Sequence, residues 1–442
     1  MKHEKFSFHN LQEVQQKARE LSCYLPLAED VSALLTPVSF QKRTLPNRIA
    51  IQPMEGCDGT SDGAPDVLTR RRYQRFAASG AGLIWLEAVA VRQDGRANPR
   101  QLYLHADNLD AFRSLVEEIR EISLRENGFA PLLILQATHS GRYSKPNGRP
   151  EPIIAYNNPL FEKDVPIDPT RIISDDELKT LEECYAQTAR LAQLAGFDGV
   201  DIKCCHRYLC CELLSAYNRK GLYGGSFENR IRFFLNAVDA ASSAVSGDFI
   251  VTSRLNIYDG FPYPYGFGVA PGKDLEPDMR EPIQLVEKLH RQKGMDLLDI
   301  TIGNPYVNPH VNRPYDNGGY IPPEHPLEGV SRIYSCTRQV QQAFPDLTII
   351  SSGPSYLREF APNLAAGAIE DGCCQIVGFG REAFAYPDFP KDLQSAGKMD
   401  PKKVCITCGK CTELMRSGST AGCVIRDSGT YLPIYQRDVL KK

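Results

Sequence analysis

LDAFRSLVEEIREISLREN (109–127) leads into APLLILQATH (130–139), and SDDELKTLEECYAQTARLAQLAG (174–196) leads into FDGVDIKCC (197–205). Each pair joins a stretch that is apolar every three or four residues to a short, nearly continuous apolar run. The first pattern predicts an amphipathic helix, and the second a strand buried on both faces, the mark of a parallel sheet. Ser174 and Glu177 have the spacing of a capping box and fix the start of the second helix. The alternation extends outward over residues 45 to 395. RIAIQPM (48–54) and AGLIWLEAVAV (81–91) precede these units. DFIVTSRLN (248–256), MDLLDITIG (295–303), LTIISSG (347–353) and CCQIVGFGR (373–381) follow them. Eight strands separated by helices predict an α/β fold, the (β/α)8 or TIM barrel. An open doubly wound sheet would want a glycine-rich turn after an early strand, and none has the required spacing.

A barrel of this kind carries its active site in the loops at the C-terminal ends of its strands. Three of those loops are long, 143–172, 258–280 and 304–328, and rich in Pro, Tyr, Asn and Gly. They read as lids or as plain surface insertions. Composition excludes other classes of function. The chain has 442 residues, 42% of them apolar and 24% charged, and a net charge of −3 with the signs interspersed. No broad field invites nucleic acid or an acidic membrane. No apolar run approaches the roughly 18–20 residues of a membrane span. The N-terminus is polar and helix-like, without the apolar core of a secretory signal, so a cytoplasmic protein is expected. At this size, without secretion, its fourteen cysteines are not a disulfide framework. Cys204, Cys205, Cys210, Cys211, Cys373 and Cys374 adjoin strands and read as buried apolar filler.

Cys405, Cys408, Cys411 and Cys423 form a different group, C-x2-C-x2-C-x11-C. Four thiolates in so compact a segment can close on one metal centre. Zinc is one reading, since four cysteines make a common structural site. A run of three with a distant fourth is the commoner signature of a 4Fe–4S cluster.

The segment VDIKCCHRYLCCELLSAYNRKGLYGGSFENRIRF (200–233) ends the fourth strand and places Lys203, His206 and Tyr208 just beyond it. A lone His or Tyr in a loop is more often structural than catalytic; position after a barrel strand shifts that balance. The motifs Val200-Asp201-Ile202, Tyr208-Leu209, Glu212-Leu213-Leu214-Ser215 and Tyr223-Gly224-Gly225-Ser226-Phe227-Glu228-Asn229-Arg230 resemble the strand-four signature of the old yellow enzymes. The resemblance covers residues 35 to 395. With the cysteine segment added, it extends to 2,4-dienoyl-CoA reductase and trimethylamine dehydrogenase.

The resemblance implies FMN and a set of roles. Leu45-Pro46-Asn47-Arg48 and Gln52 match the first strand. Pro53, Met54, Glu55, Ala88 (beside Glu87) and Gln136 match contacts to the flavin ring. Arg254 matches the arginine beside flavin N1, where reduction places negative charge. Gly353, Gly380 and Arg381, from Ser352-Gly353 and Gly378-Phe379-Gly380-Arg381, match the phosphate site after strands seven and eight. Tyr208 matches the proton donor; a phenol holds its proton at neutral pH and can still give it to an enolate. His206 and Lys203 occupy the two carbonyl-binding positions, the lysine where a histidine is usual. Arg207 replaces the usual glycine before the tyrosine. Lys203 and Arg207 together would make a cationic mouth that favours an anionic substrate; solvated loop charges are the other reading.

The expected activity is therefore ene-reduction, flavin hydride adding to a C=C bond conjugated to a carbonyl in a small molecule such as a steroid or bile-acid intermediate, an aryl acrylate or an acyl thioester. Three alternatives stand beside it: amine oxidation of the trimethylamine dehydrogenase type, a non-catalytic flavin/cluster electron carrier, and a zinc-stabilised lyase without flavin. The expected organisation is a helical extension (1–34), an FMN-binding barrel (35–397) and a 4Fe–4S segment (398–442). Larger relatives continue into FAD- and NAD(P)H-binding domains, whereas this sequence ends nineteen residues after Cys423. A separate electron-donor protein docking near Cys405–Cys423 is therefore expected; a homo-oligomer is left open.

Overall fold

The computed structural model describes residues 3–163, 165–273 and 275–441. Met1, Lys2 and Lys442, the outermost residues of the expected terminal segments, lie outside the described residues, as do single positions in the loops 143–172 and 258–280. All eight expected strands form: β3 (Ile49–Ile51), β4 (Leu83–Ala90), β5 (Leu132–Thr138), β6 (Gly199–Ile202), β7 (Ile250–Asn256), β8 (Leu297–Thr301), β9 (Thr348–Ser351) and β10 (Ile376–Phe379). They close in sequence order, β10 pairing with β3, and every pair is parallel. The fold is a (β/α)8 barrel. Each strand is a few residues shorter than its apolar run, losing residues at one end or both.

A preceding hairpin, β1 (Val38–Phe40) and β2 (Arg43–Leu45), plugs the opposite end of the barrel. Its Val38, Phe40 and Leu45 cluster with inward residues such as Ala50, Trp85, Ile134 and Ile350. The larger apolar layer lies between strands and helices. Helix Asp175–Leu194 begins on the expected capping box, Ser174 Oγ accepting from the Glu177 amide and the Glu177 carboxylate from the Ser174 amide. It buries Leu178, Leu181, Tyr185, Ala189 and Ala192 in that layer. Each large side chain so buried contributes roughly 1.5–3 kcal/mol.

Of the expected N-terminal extension, Leu11–Glu20 is helix and Ser32–Leu35 a 3-10 turn; the chain between is an extended strap. The strap hydrogen-bonds to the barrel's outer helices, Tyr24 N to Ser331 Oγ (2.8 Å) and Ala28 N to Asn363 O (3.0 Å). Gly367 permits the contact: a Cβ there would lie 2.2 Å from Pro26 O. The C-terminal segment, with helices Lys410–Arg416 and Ser428–Tyr435, crosses the barrel mouth. Ala421 N donates to Gly56 O (2.7 Å), Asp316 N to Thr407 Oγ1 (3.3 Å), and Arg71 and Arg75 both pair with Asp427 (2.7 Å). Among the described residues no helix is long and apolar enough to cross a membrane.

Candidate active site

The strand ends converge on one cleft at the barrel mouth. β3 leads into Gln52, Pro53, Met54 and Glu55; β5 carries Gln136; β6 leads to Lys203, His206 and Tyr208; β7 carries Arg254. The turns after β9 and β10 supply Ser352, Gly353, Gly380 and Arg381, and all of these residues line the cleft. Ala88 is placed in the β4 wall behind it, fully buried, its carbonyl accepting from Gln101 Nε2 (3.2 Å).

Two buried carboxylates organise the floor. Asp201 accepts from Trp85 Nε1 (2.8 Å), Gln136 Nε2 (2.6 Å) and the Arg254 amide (2.7 Å). Asp299 accepts from Gln52 Nε2 (2.9 Å) and pairs with Arg254 Nε (3.0 Å). Burial pushes Asp201 up to about 6 and Asp299 up to about 7. Asp299 is absent from the expected site. Its signal was visible: an acid in the middle of LLDIT, a strand otherwise apolar.

At the other side, the Tyr208 hydroxyl donates to Glu55 Oε1 (2.8 Å) and lies 2.8 Å from the Tyr306 hydroxyl. Lys203 Nζ is 3.3 Å from the same Glu55 oxygen and 3.7 Å from the Tyr208 ring centroid. Burial, reinforced by the Glu55 charge, raises the Tyr208 phenol well above its ordinary range, so it is protonated. Tyr143 stacks on Tyr306 with centroids 4.0 Å apart, and its hydroxyl accepts from Asn304 Nδ2 (2.9 Å). These tyrosines come from two of the three long loops. No local pattern singles them out, because their meeting depends on loop paths.

His206 and Arg207 are both left-handed, each with φ of 60°. The double turn aims the two side chains apart. His206 lines the cleft and makes no hydrogen bond to the described residues; burial, then the charges of Arg254 and Lys203, hold its imidazole neutral. Arg207 is fully buried outside the cleft, its Nη1 on Asp259 (2.8 Å), its Nη2 on the Tyr156 hydroxyl (3.0 Å). Phe161 and Phe261 face its guanidinium at 5.1 and 5.7 Å. The expected cationic mouth of Lys203 and Arg207 is therefore corrected: Arg207 clamps the loops 143–172 and 258–280 together, and Lys203 is committed to Glu55.

The family described as NADH:flavin oxidoreductase / NADH oxidase matches residues 33–266. This chain is a member of that family. Among relatives of this flavin oxidoreductase, the NADPH dehydrogenase of Geobacillus sp. (strain WCH70) is 31% identical over 275 residues, 61% of this chain and 73% of the relative. The cinnamate reductase of Clostridium sporogenes is 24% identical over 409 residues, covering 90% of this chain; the chain spans only 58% of that relative's length. Morphinone reductase in complex with tetrahydroNAD shares the fold, with a TM-score of 0.61 at 23% identity over 83% of this chain and 92% of that one. The protein is thus a flavin-dependent oxidoreductase of old yellow enzyme type.

The cleft of this flavin oxidoreductase fits FMN. Arg254 and Arg381 both line it, together with Gly353 and Gly380, and the Arg381 side chain has neither hydrogen bond nor ion pair among the described residues, although only 8% exposed. A buried cation without a counter-charge marks the place of an anion. Gly353 is left-handed (φ 85°), a conformation glycine adopts without cost. Cys405, Cys408, Cys411 and Cys423 line a second cavity together with Arg381 and Phe384. Their thiols are free, and among the described residues no three metal-binding side chains converge on a single ion position. Arg381, Phe384 and Cys411 line both cavities, so the two share a wall.

Proposed function

We propose that this enzyme reduces the C=C bond of an α,β-unsaturated carbonyl compound, with Tyr208 as proton donor. The observation that carries the reading is the meeting of a protonated Tyr208, a neutral His206 and Arg254 in one cleft. Reduced FMN, when bound, supplies the hydride for the β-carbon. Pro53, Met54, Glu55, Gln136 and Arg254 would hold its ring, Ala88 backing the wall, and Gly353, Gly380 and Arg381 its phosphate. Arg254 places fixed positive charge where the reduced ring gains negative charge, and Asp201 and Asp299 hold that arginine in register. The N–H of neutral His206 binds the substrate carbonyl oxygen and favours charge developing there. Tyr208 then protonates the α-carbon.

Tyr306, stacked on Tyr143 and with its hydroxyl 2.8 Å from that of Tyr208, lines the cleft, and this aromatic wall supports a planar, aryl-substituted enoate or enone as substrate. Amine oxidation would want a free aromatic cage. Lys203 already occupies the face of Tyr208.

We further infer that residues 398–442 bind a 4Fe–4S cluster through Cys405, Cys408, Cys411 and Cys423, beside a barrel of residues 35–397. A single tetrahedral zinc requires its thiolates about 3.8 Å apart around one point. Four thiols spread around a cavity suit a polynuclear cluster better.

The test is anaerobic purification, metal and flavin analysis, and a reoxidation screen. One FMN and about four irons per chain are expected. Dithionite-reduced enzyme should be reoxidised by members of a panel containing cinnamate and 2-cyclohexenone, and Tyr208→Phe should slow this by about 10²–10⁴-fold while retaining flavin. Zinc in place of iron would overturn the cluster, and an unchanged Tyr208→Phe rate would overturn the acid.

A further inference from the structure

Lys203 stands at a position expected to polarise a carbonyl, yet its contacts point elsewhere. Its Nζ lies 3.3 Å from Glu55 Oε1, the atom that also takes the Tyr208 hydrogen bond at 2.8 Å. It also sits 3.7 Å from the centre of the Tyr208 ring. The lysine and glutamate side chains are 2% and 11% exposed, and Tyr208 is 1% exposed. An ammonium, a carboxylate and a phenol thus form a continuous chain of exchangeable protons along the cleft wall.

An isolated Tyr208 is a poor acid for this task. Once its proton has gone, a phenolate would remain beside the Glu55 carboxylate with little water to screen the two charges. The same neighbours that disfavour a bare phenolate can refill it. Resting on the ene-reductase reading, we propose that Lys203 and Glu55 are a proton relay that reprotonates Tyr208 as it protonates the substrate. The Tyr208 O–H bond breaks as the α-carbon–H bond forms. The Lys203 ammonium passes a proton to Glu55, and the carboxyl proton so formed passes to the Tyr208 oxygen. Lys203 is left neutral and, lining the cleft, regains its proton from solvent that enters once product has left. Reduced flavin provides the hydride and both electrons, so the relay carries protons only, one per alkene reduced. The Tyr306 hydroxyl, 2.8 Å from the Tyr208 oxygen, holds that oxygen in line during the exchange. Glu55 and Lys203 act through Tyr208 and are its positioning and proton-supply residues.

The experiment follows single-turnover reoxidation of the dithionite-reduced holoenzyme by the better of cinnamate and 2-cyclohexenone, in mixtures of H2O and D2O. When several protons move together, the rate depends on deuterium fraction along a curve; when one moves, the dependence is a line. The wild type should give a curve. Glu55→Gln keeps the size and polarity of the side chain but cannot pass a proton on. It should slow reoxidation at least about tenfold, within the range of general acid catalysis, and straighten the plot. Lys203→Met removes the ammonium from the far end and should straighten it too, so the test survives if one variant fails to bind flavin. A rate within twofold of wild type with the curvature intact, in either flavin-replete variant, would overturn the relay. Tyr208→Phe separates the two levels: if it slows the reaction and Glu55→Gln does not, only the relay fails. If Tyr208→Phe has no effect, the proton-donor reading fails as well.

Discussion

At residue 207 two physical effects oppose each other. Its φ of 60° suits glycine, the residue usual at this place in the old yellow enzymes, and costs an arginine roughly 1 kcal/mol. The buried pair with Asp259 and the packing between Phe161 and Phe261 offset that strain. Asp259→Asn would leave a buried guanidinium without its counter-charge, a loss of about 3–5 kcal/mol by analogy with other broken buried pairs. Arg207→Gly relaxes the backbone, and Asp259, whose pKa burial already raises, can take up a proton and keep its bonds from Asn256 Nδ2 and the Phe267 amide. Denaturant unfolding should therefore rank Asp259→Asn as the less stable variant; the reverse order would mean that the ion pair contributes less than the turn. At Arg254 the expectation concerns redox. With Arg254 at the ring as proposed, Arg254→Ala would remove positive charge facing it on reduction, so the flavin midpoint potential should fall; a potential that stays or rises would place Arg254 away from the ring. Asp299 gives a pH signature in the flavin-free protein. Its folded pKa of about 7 lies above the ordinary carboxylate value, so the folded state binds the extra proton between roughly pH 4 and 7. Its contribution to stability is full below that window and is lost as pH rises through it. Asp299→Asn should flatten this part of the stability–pH curve.

Strands and helices obey rules that act over a few residues, and these were the legible parts. The period of 3.6 in 109–127 and 174–196 and the apolar runs after them appear in the structure as helices Leu109–Asn127 and Asp175–Leu194 and strands β5 and β6. Ser174→Ala should cost about 1 kcal/mol, since it leaves the Glu177 amide without its acceptor. Gly199→Ala should cost about 1–3 kcal/mol, because a Cβ there would lie 2.6 Å from Ile250 O across the β6–β7 pair. Thermal unfolding checks both, and a neutral Gly199→Ala would mean that the strands part without penalty. The long loops were legible only as long. That 143–172 and 258–280 meet on Arg207 depends on a pair 52 positions apart in the chain, Arg207 and Asp259, for which no local spacing exists. The same holds for Tyr143 stacking on Tyr306. Strand-end motifs located the cleft, while the side-chain pairs inside it, such as Lys203–Glu55, required the folded chain.

Across the whole molecule, the C-terminal segment is both a wall of the cleft and the lining of the cysteine cavity. Cys411, Thr412, Met415 and Ala421 face the cleft, and Cys405, Cys408, Cys411 and Cys423 surround the neighbouring space. One limb of the segment is pinned without any metal: Ala421 on Gly56, Thr420 on Gly56 and Asp58, and Asp427 on Arg71 and Arg75. The barrel should therefore survive loss of the proposed cluster. All four cysteines are half-buried, and Cys411 lies on the wall shared with the cleft, so the proposed cluster would stand beside the proposed flavin site. This arrangement suits one-electron entry from an external carrier, which a nicotinamide docking directly over flavin would not need. Cys408→Ser should then lower iron content, abolish turnover driven by a one-electron donor such as reduced viologen or ferredoxin, and spare reoxidation of flavin already reduced by dithionite. Circular dichroism and flavin content establish that the fold has survived. Rapid turnover with NADH or NADPH alone, equal in wild type and in the iron-free variant, would refute the electron route. The cysteine segment would then serve to brace the cleft wall, and flavin release from Cys408→Ser should be faster than from the wild type.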